Sequence, residues 1–268
     1  MEPHEYEQMY RLEERHWWYR ALRRQILRTL RAEGLLDARH PGRRCLDAGC
    51  GTGRNLALLA PHFDCVGFDY SAEALHLAQS RQAAPLWRAS TEQIPLPDAC
   101  CDLILSCDVL YHRGVRNDLA ALIELHRCLR PGGYLLVNLP AFSWLRSAHD
   151  RAIHTVRRYT RGEVIAKLER AGLDPRQVRY WNWMLFPPLA AVRLVRALGT
   201  GENEHGGSAQ SHGDQPGESP SGASSDLTAL PAPLNWALDR LLAIEATLGS
   251  ARVLPGLSIM ALARRPEA

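Results

Sequence analysis

Leu46-Asp47-Ala48-Gly49-Cys50-Gly51-Thr52-Gly53 is the stretch on which the fold turns. Its first half is largely apolar, and its second half carries glycine at every other position. It therefore reads as a buried strand ending abruptly in a loop. Glycine there permits left-handed backbone and lets a ligand approach the main chain. Arg54 and Asn55 follow and open a helix. A strand, a glycine turn and a helix begin an open α/β sheet, in which ligands bind beyond the carboxyl ends of the strands.

Outward from this loop, apolar runs at Cys45–Ala48, Cys65–Phe68, Leu86–Ala89, Asp102–Cys107 and Tyr134–Leu139 alternate with helical stretches. Buried parallel strands need continuous apolar runs. The alternation predicts a parallel sheet with helices on both faces. Ser71 reads as the N-cap of a helix over 72–82. A helix across 116–129 stops before Pro131-Gly132-Gly133. Thr160 and Glu163 have capping-box spacing ahead of a helix ending near Gly172.

At the N-terminal side, residues 6–33 read as one helix with an apolar and aromatic stripe, and Pro41-Gly42 breaks the chain. Toward the C-terminus come a strand over Gln177–Trp183 and an apolar segment over Met184–Leu198. Residues 199–226 are rich in Gly, Ser, His, Gln and acids, which predicts a disordered linker. Leu234–Leu248 reads as an amphipathic helix and Leu257–Ala263 as a last strand.

Composition excludes several classes. With 268 residues the chain can bury one large core plus extra pieces. A net charge of +3 is too small to argue for a nucleic-acid partner. The seven cysteines are odd in number and show no CxxC spacing, so neither a metal site nor a disulfide framework is expected. They suit small core positions in a reducing compartment. The polar start Met1-Glu2-Pro3-His4-Glu5 does not read as a signal peptide, and no apolar stretch is long enough to span a bilayer. The expected location is cytoplasmic.

Asp69 ends the second strand, 22 residues after Asp47. A carboxylate there can accept both hydroxyls of a bound ribose. It can equally cap the next helix, and it suits a nicotinamide dinucleotide as well as S-adenosylmethionine (SAM). The glycine spacing separates the two cofactors: it is GxGxG rather than GxGxxG. Bulky Arg54 and Asn55 stand where a pyrophosphate site wants a third glycine.

Leu46–Asn55 with Gly67-Phe68-Asp69-Tyr70-Ser71 resembles the first two motifs of class I SAM-dependent methyltransferases. Pro95-Leu96-Pro97-Asp98, the run Cys101–His112 and Leu129-Arg130-Pro131-Gly132-Gly133-Tyr134 resemble the later motifs of the UbiE/Coq5-like (methyltransferase type 11) group. The resemblance covers about residues 43–140 with the motifs in order. It implies a Rossmann-like seven-stranded methyltransferase sheet with SAM as cofactor. The last two strands would form an antiparallel hairpin interrupted by an insertion over 184–256. Residues 1–40 would be a helical cap, and 41–183 with 257–264 the core. The resemblance places Gly49, Gly51 and Gly53 against the methionine part of SAM, with Asp47 fixing the loop. Asp69, with Tyr70 beside it, takes the ribose, Thr91 flanks the adenine, and Asp108 lies near the methionine end. Ser90 stands where the family usually has an aspartate for the adenine amino group, and Tyr111 replaces a common glutamate.

Methyl transfer from a sulfonium is an in-line displacement, and alignment alone can supply roughly 7–11 kcal/mol. A base adds about 10²–10⁴-fold. The segment leaving the fifth strand carries His149, Asp150, His154, Arg157 and Arg158. If helical, Asp150, His154, Arg157 and Arg158 share one stripe. His149, Asp150 and His154 are then the candidates for acceptor chemistry, and Arg157 and Arg158 for holding an anionic acceptor. A solvated face with helix charge pairs is the competing reading. The segment resembles a bacterial methyltransferase subgroup that also carries an aromatic patch like His16-Trp17-Trp18-Tyr19-Arg20. Trp17 and Tyr19 are accordingly candidates to line the acceptor site.

The expected reaction is methyl transfer to a small-molecule or lipid-like acceptor, at oxygen. The apolar, arginine-punctuated segment 184–198 could touch the inner membrane peripherally, although a helix packed on its own domain accounts for it as well. An Asp/Asn-Pro-Pro-Tyr/Phe signature is absent after the fourth strand, which argues against nucleic-acid methylation. Two rival readings are a nicotinamide-dependent oxidoreductase and a non-catalytic partner protein that keeps the SAM fold.

Overall fold

The computed structural model describes residues 3–36, 42–81, 83–146, 150, 154–199, 230–248 and 254–267. Seven strands form one sheet: β1 Arg44–Ala48, β2 Asp64–Asp69, β3 Leu86–Arg88, β4 Cys101–Cys107, β5 Leu129–Pro140, β6 Asp174–Trp181 and β7 Ser258–Arg264. Their order is β3-β2-β1-β4-β5-β7-β6. The first five are parallel, and β7 runs antiparallel between β5 and β6. The sheet switches direction at β1 and β4, so a crevice opens beyond their carboxyl ends.

The helices are α1 Pro3–Leu12, α2 Trp17–Ala32, α3 Arg54–Leu59, α4 Ala72–Gln79, α5 Asp118–Cys128, α6 Arg161–Arg170, α7 Phe186–Gly199 and α8 Ala232–Leu248. Two apolar layers sandwich the sheet. One gathers Phe68, Ile104, Leu125, Val137 and Leu168. The other gathers Ile26, Leu30, Leu103, Leu136 and Met260 against α2. Capping follows the sequence: Ser71 accepts from Ala74 N–H, and Thr160 and Glu163 form a complete capping box.

The structure corrects three expectations. The single helix over 6–33 is two helices, because Glu13–His16 leave helical geometry. His16 caps α2 with extended backbone, and its side chain accepts from Trp18 N–H. Strand β5 begins at Leu129 rather than Tyr134, so the Pro-Gly-Gly run lies within it, beside a register shift between Cys101 and Leu103 on its partner β4. The stretch from His154 to Thr160 is not helical. It is pinned by backbone bonds to the loop after β4 and the end of β5: Val156 N–H to Tyr111 O at 3.0 Å, and Tyr159 N–H to Pro140 O at 2.9 Å. Other strand boundaries shift by one to three residues. Helices α7 and α8 sit between β6 and β7, and most of the expected linker, 200–226, lies outside the described residues.

Candidate active site

The glycine loop follows from the end of β1. The N–H groups of Gly49 and Cys50 both donate to Phe68 O at 2.9 Å, which folds the chain back over β2. Gly49, Gly51 and Gly53 all have positive φ, at 85°, 53° and 78°. At Gly51 a Cβ would lie 3.2 Å from the Met9 side chain, so α1 covers the loop closely. Gly53 enters α3, and a Cβ there would lie 3.0 Å from Ala78, so the missing side chain lets the loop pack against α4.

Beneath the loop, the Asp69 carboxylate accepts from Gly51 N–H at 2.8 Å and Ser71 N–H at 2.9 Å. One side chain thus holds the loop and starts α4, as the capping reading of Asp69 expects. Its remaining lone pairs are open to a ribose. Burial raises its pKa, while those backbone donors pull it back. Asp47 lies deeper. It does not line the cleft, and neither carboxylate oxygen has a hydrogen-bond partner among the described residues. Burial, then the Asp69 charge, pushes it up to about 7. Its side chain makes no hydrogen bond to the loop among the described residues.

At one end of the cavity, Phe68, Tyr70, Ser90 and Thr91 line the wall. Ser90 Oγ accepts from Glu92 N–H at 3.2 Å. Thr91 is 4% exposed, and its hydroxyl has no partner among the described residues. An orphaned hydroxyl at this place fits an adenine edge. Tyr70 is exposed, with the Arg88 guanidinium 5.3 Å from its ring.

At the other end stands Asp108, with φ of 62°. It accepts from Asn138 Nδ2 at 3.0 Å, and Asn138 Oδ1 in turn accepts from Trp181 Nε1 at 2.9 Å. Trp18 stacks on Trp181 at 4.8 Å, so the relay ties the sheet to the cap. Burial pushes Asp108 up to about 7, against the Asn138 bond. Tyr19 is held far above the ordinary phenol range by burial, then by Glu13 and Asp108.

The roof joins the aromatic patch to three residues the sequence reading missed, Tyr6, Met9 and Glu13. Tyr6, Met9, Glu13 and His16 line the cleft together with Trp17, Trp18 and Tyr19. Glu13 is 4% exposed. It accepts from Thr52 Oγ1 at 2.7 Å and from Arg81 Nη2 at 2.5 Å. Burial raises its carboxyl, and those two donors oppose the shift. Within a run of charged helix residues Glu13 looks like one more surface acid, so nothing local singled it out.

The acceptor candidates divide. His149 lies outside the described residues. Asp150 lines the cleft at 2% exposure, and Arg158 donates to it at 2.9 and 3.1 Å. Arg158 also lines the cleft and donates to Ala141 O at 2.8 Å. Arg157 does not line it; its guanidinium donates to the carbonyls of Leu110, Val115 and Arg116. That arginine braces the loop after β4 instead of meeting an acceptor. His154 is not a cleft-lining residue either, and its ring stacks at 5.7 Å on His112, which is. His112 is held near 4 by burial first, with His154 and Arg113 adding to the effect, so it is neutral at pH 7.

The cavity formed by these groups measures about 700 Å³ and runs from Ser90 to Leu145, Leu189 and Leu257. That is within the range of small-molecule sites. A methyltransferase-domain family profile matches residues 46–137. Malonyl-[acyl-carrier protein] O-methyltransferase of Dechloromonas aromatica is 34% identical over 201 residues, covering 68% of this chain and 71% of that one. Trans-aconitate 2-methyltransferase of Azoarcus is 35% identical over 151 residues, covering 54% and 56%. The solved geranyl diphosphate methyltransferase, bound to its diphosphate and sinefungin, matches at a TM-score of 0.54 and 16% identity. It covers 88% of this chain and 78% of that one, a likeness that carries the fold alone. The chain spans 42% to 62% of the lengths of several curated relatives.

The chain belongs to the class I SAM-dependent methyltransferases. Its family cofactor is SAM, and the nicotinamide-dependent reading is set aside by that membership.

Proposed function

We propose that this chain transfers the methyl group of SAM to an oxygen of a small-molecule or lipid-like acid. The single observation behind this reading is the cavity: its lining joins the glycine loop and Asp69 to Arg158 and to the apolar Leu145, Leu189 and Leu257. Two relatives are named for malonyl and trans-aconitate acceptors, both acids, which supports a carboxylate as the nucleophile.

When bound, SAM supplies a methyl group on a sulfonium. The loop from Gly49 to Thr52 would pack against its methionine part, Asp69 and Thr91 would hold its nucleoside side, and Asp108 and Tyr19 would face its amino-acid end. A carboxylate is ionised at neutral pH, so the protein has no proton to remove. Its task is to align the nucleophile and exclude water. Arg158 uses three of its five N–H donors on Asp150 and Ala141, leaving donors that can orient an acceptor oxygen. On this reading Asp150 positions Arg158, and neither His154 nor His112 need act as a base.

The test uses purified chain, SAM carrying a labelled methyl group, and a panel containing malonyl thioester, trans-aconitate and fatty acids. Label recovered in a product that releases methanol under mild alkali identifies a methyl ester. Label in an alkali-stable product would move the nucleophile away from a carboxylate. Binding of SAM without transfer to the panel or to a cell extract would favour the non-catalytic partner reading.

A further inference from the structure

Several exposed apolar side chains lie on or beside α7 and α8. Trp144, Leu189 and Val192, with Trp236, Ile244 and Leu248 of α8, are each at least 36% exposed. These elements meet at one corner. Glu245 of α8 accepts from the N–H groups of Asn182 and Met184 at 2.6 and 3.0 Å, just before α7. Phe186, which opens α7, lies edge-on to Trp144 at 5.8 Å.

Charge on these helices is one-sided. The ionisable residues of 186–199 and 232–248 are Arg193, Arg196, Asp239, Arg240 and Glu245. Both acids turn inward, at 4% and 2% exposure. Asp239 pairs with Arg20 at 3.2 Å and Arg24 at 2.6 Å, and Glu245 is taken up by the backbone just described. Arg240 stays exposed, its guanidinium 5.6 Å from the Trp236 ring. The outer face of α8 therefore offers apolar groups, a tryptophan and a cation, with no carboxylate. An interfacial helix on an anionic lipid surface has this make-up. Leu189 belongs both to the exposed surface and to the cavity lining, so the apolar face continues into the acceptor half.

We propose that α7 and α8 seat the chain on an anionic lipid surface, with the acceptor end of the cavity next to the bilayer. Among the described residues no helix is long and apolar enough to cross a membrane, so the contact is interfacial. The inference does not depend on which acceptor is methylated.

Flotation of the full chain with vesicles of phosphatidylglycerol and phosphatidylcholine tests it, read against pure phosphatidylcholine vesicles. The chain should float with the anionic vesicles, less with the neutral ones, and less again in high salt. Trp236→Asp combined with Leu248→Asp should cut partitioning by about tenfold or more, with SAM affinity and melting temperature unchanged. Arg240→Glu should weaken binding to anionic vesicles alone. Absence of flotation by the folded wild type would overturn the proposal, as would equal flotation of the double variant. Concentration-dependent dimerisation that the double variant abolishes, without vesicle binding, would assign the face to a second copy and overturn it too.

Discussion

The hydroxyl of Thr52, inside the glycine loop, donates to the buried carboxylate of Glu13 across 2.7 Å, and 39 residues of chain separate them. This bond fastens the N-terminal cap to the cofactor loop. Replacing Thr52 with valine keeps the shape and removes the donor. Glu13 would keep Arg81 but lose part of its satisfaction, at a cost of about 1–3 kcal/mol. Chemical denaturation of the variant should read this loss, and calorimetry should show weakened SAM binding. An unchanged midpoint and affinity would mean that the cap is held elsewhere.

Two glycines of one loop should fail differently. Gly51 lines the cleft under Met9, so Gly51→Arg should abolish SAM binding in a folded protein. Gly53 has a φ of 78°, and a Cβ there would lie 3.0 Å from Ala78. Gly53→Ala should therefore lower the melting temperature first. Titration of both variants beside circular-dichroism melts separates the effects.

The buried, unbonded Asp47 sets a pH dependence. Its folded value of about 7 lies above the ordinary 3.8, so the folded state binds the extra proton between those values. Stability contributed by this group is therefore present at acid pH and declines as pH rises from about 4 to 7. Asp47→Asn should melt near wild type at or below pH 4 and increasingly above it from there to pH 8, in the SAM-free protein. A gap that does not widen with pH would show that Asp47 is neutralised by another route.

Removing Arg158 would take the guanidinium from both oxygens of Asp150, a carboxylate at 2% exposure. Arg158→Ala should cost up to about 3–5 kcal/mol. Arg158→Lys is the more informative variant: it should stay folded, keep SAM affinity and lose turnover on an acid acceptor. Alanine at His154 and at His112 should leave turnover on that acceptor within a few-fold of wild type. A loss of 10² or more at either would restore an imidazole base.

Much of the architecture was legible. Buried parallel strands must be apolar throughout, so Asp102–Cys107 and its counterparts stand out and agree with the structure to within a few residues. The glycine loop and Asp69 were legible because backbone geometry limits which residues can serve there. The break after Leu12 was not. Glu13, Glu14 and Arg15 are ordinary helix formers, and the turn is set by a bond to Thr52 that no local pattern announces. The stripe expected over 150–158 failed for a similar reason. Arg157 and Arg158 have helical spacing, but carbonyls at Leu110, Val115 and Ala141 claim their donors.

The placement of β7 has a consequence for how the molecule is made. This strand, 258–264, is buried along nearly its whole length and supplies the only link between β5 and β6 in the described sheet. A nascent chain therefore reaches Trp181 with two bare strand edges and holds them until the ribosome has added the segment that bridges them. Folding of the sheet is thus delayed until residues 258–264 have left the ribosome. A transcript cut short before Ser258 should yield an aggregating product rather than a smaller working domain.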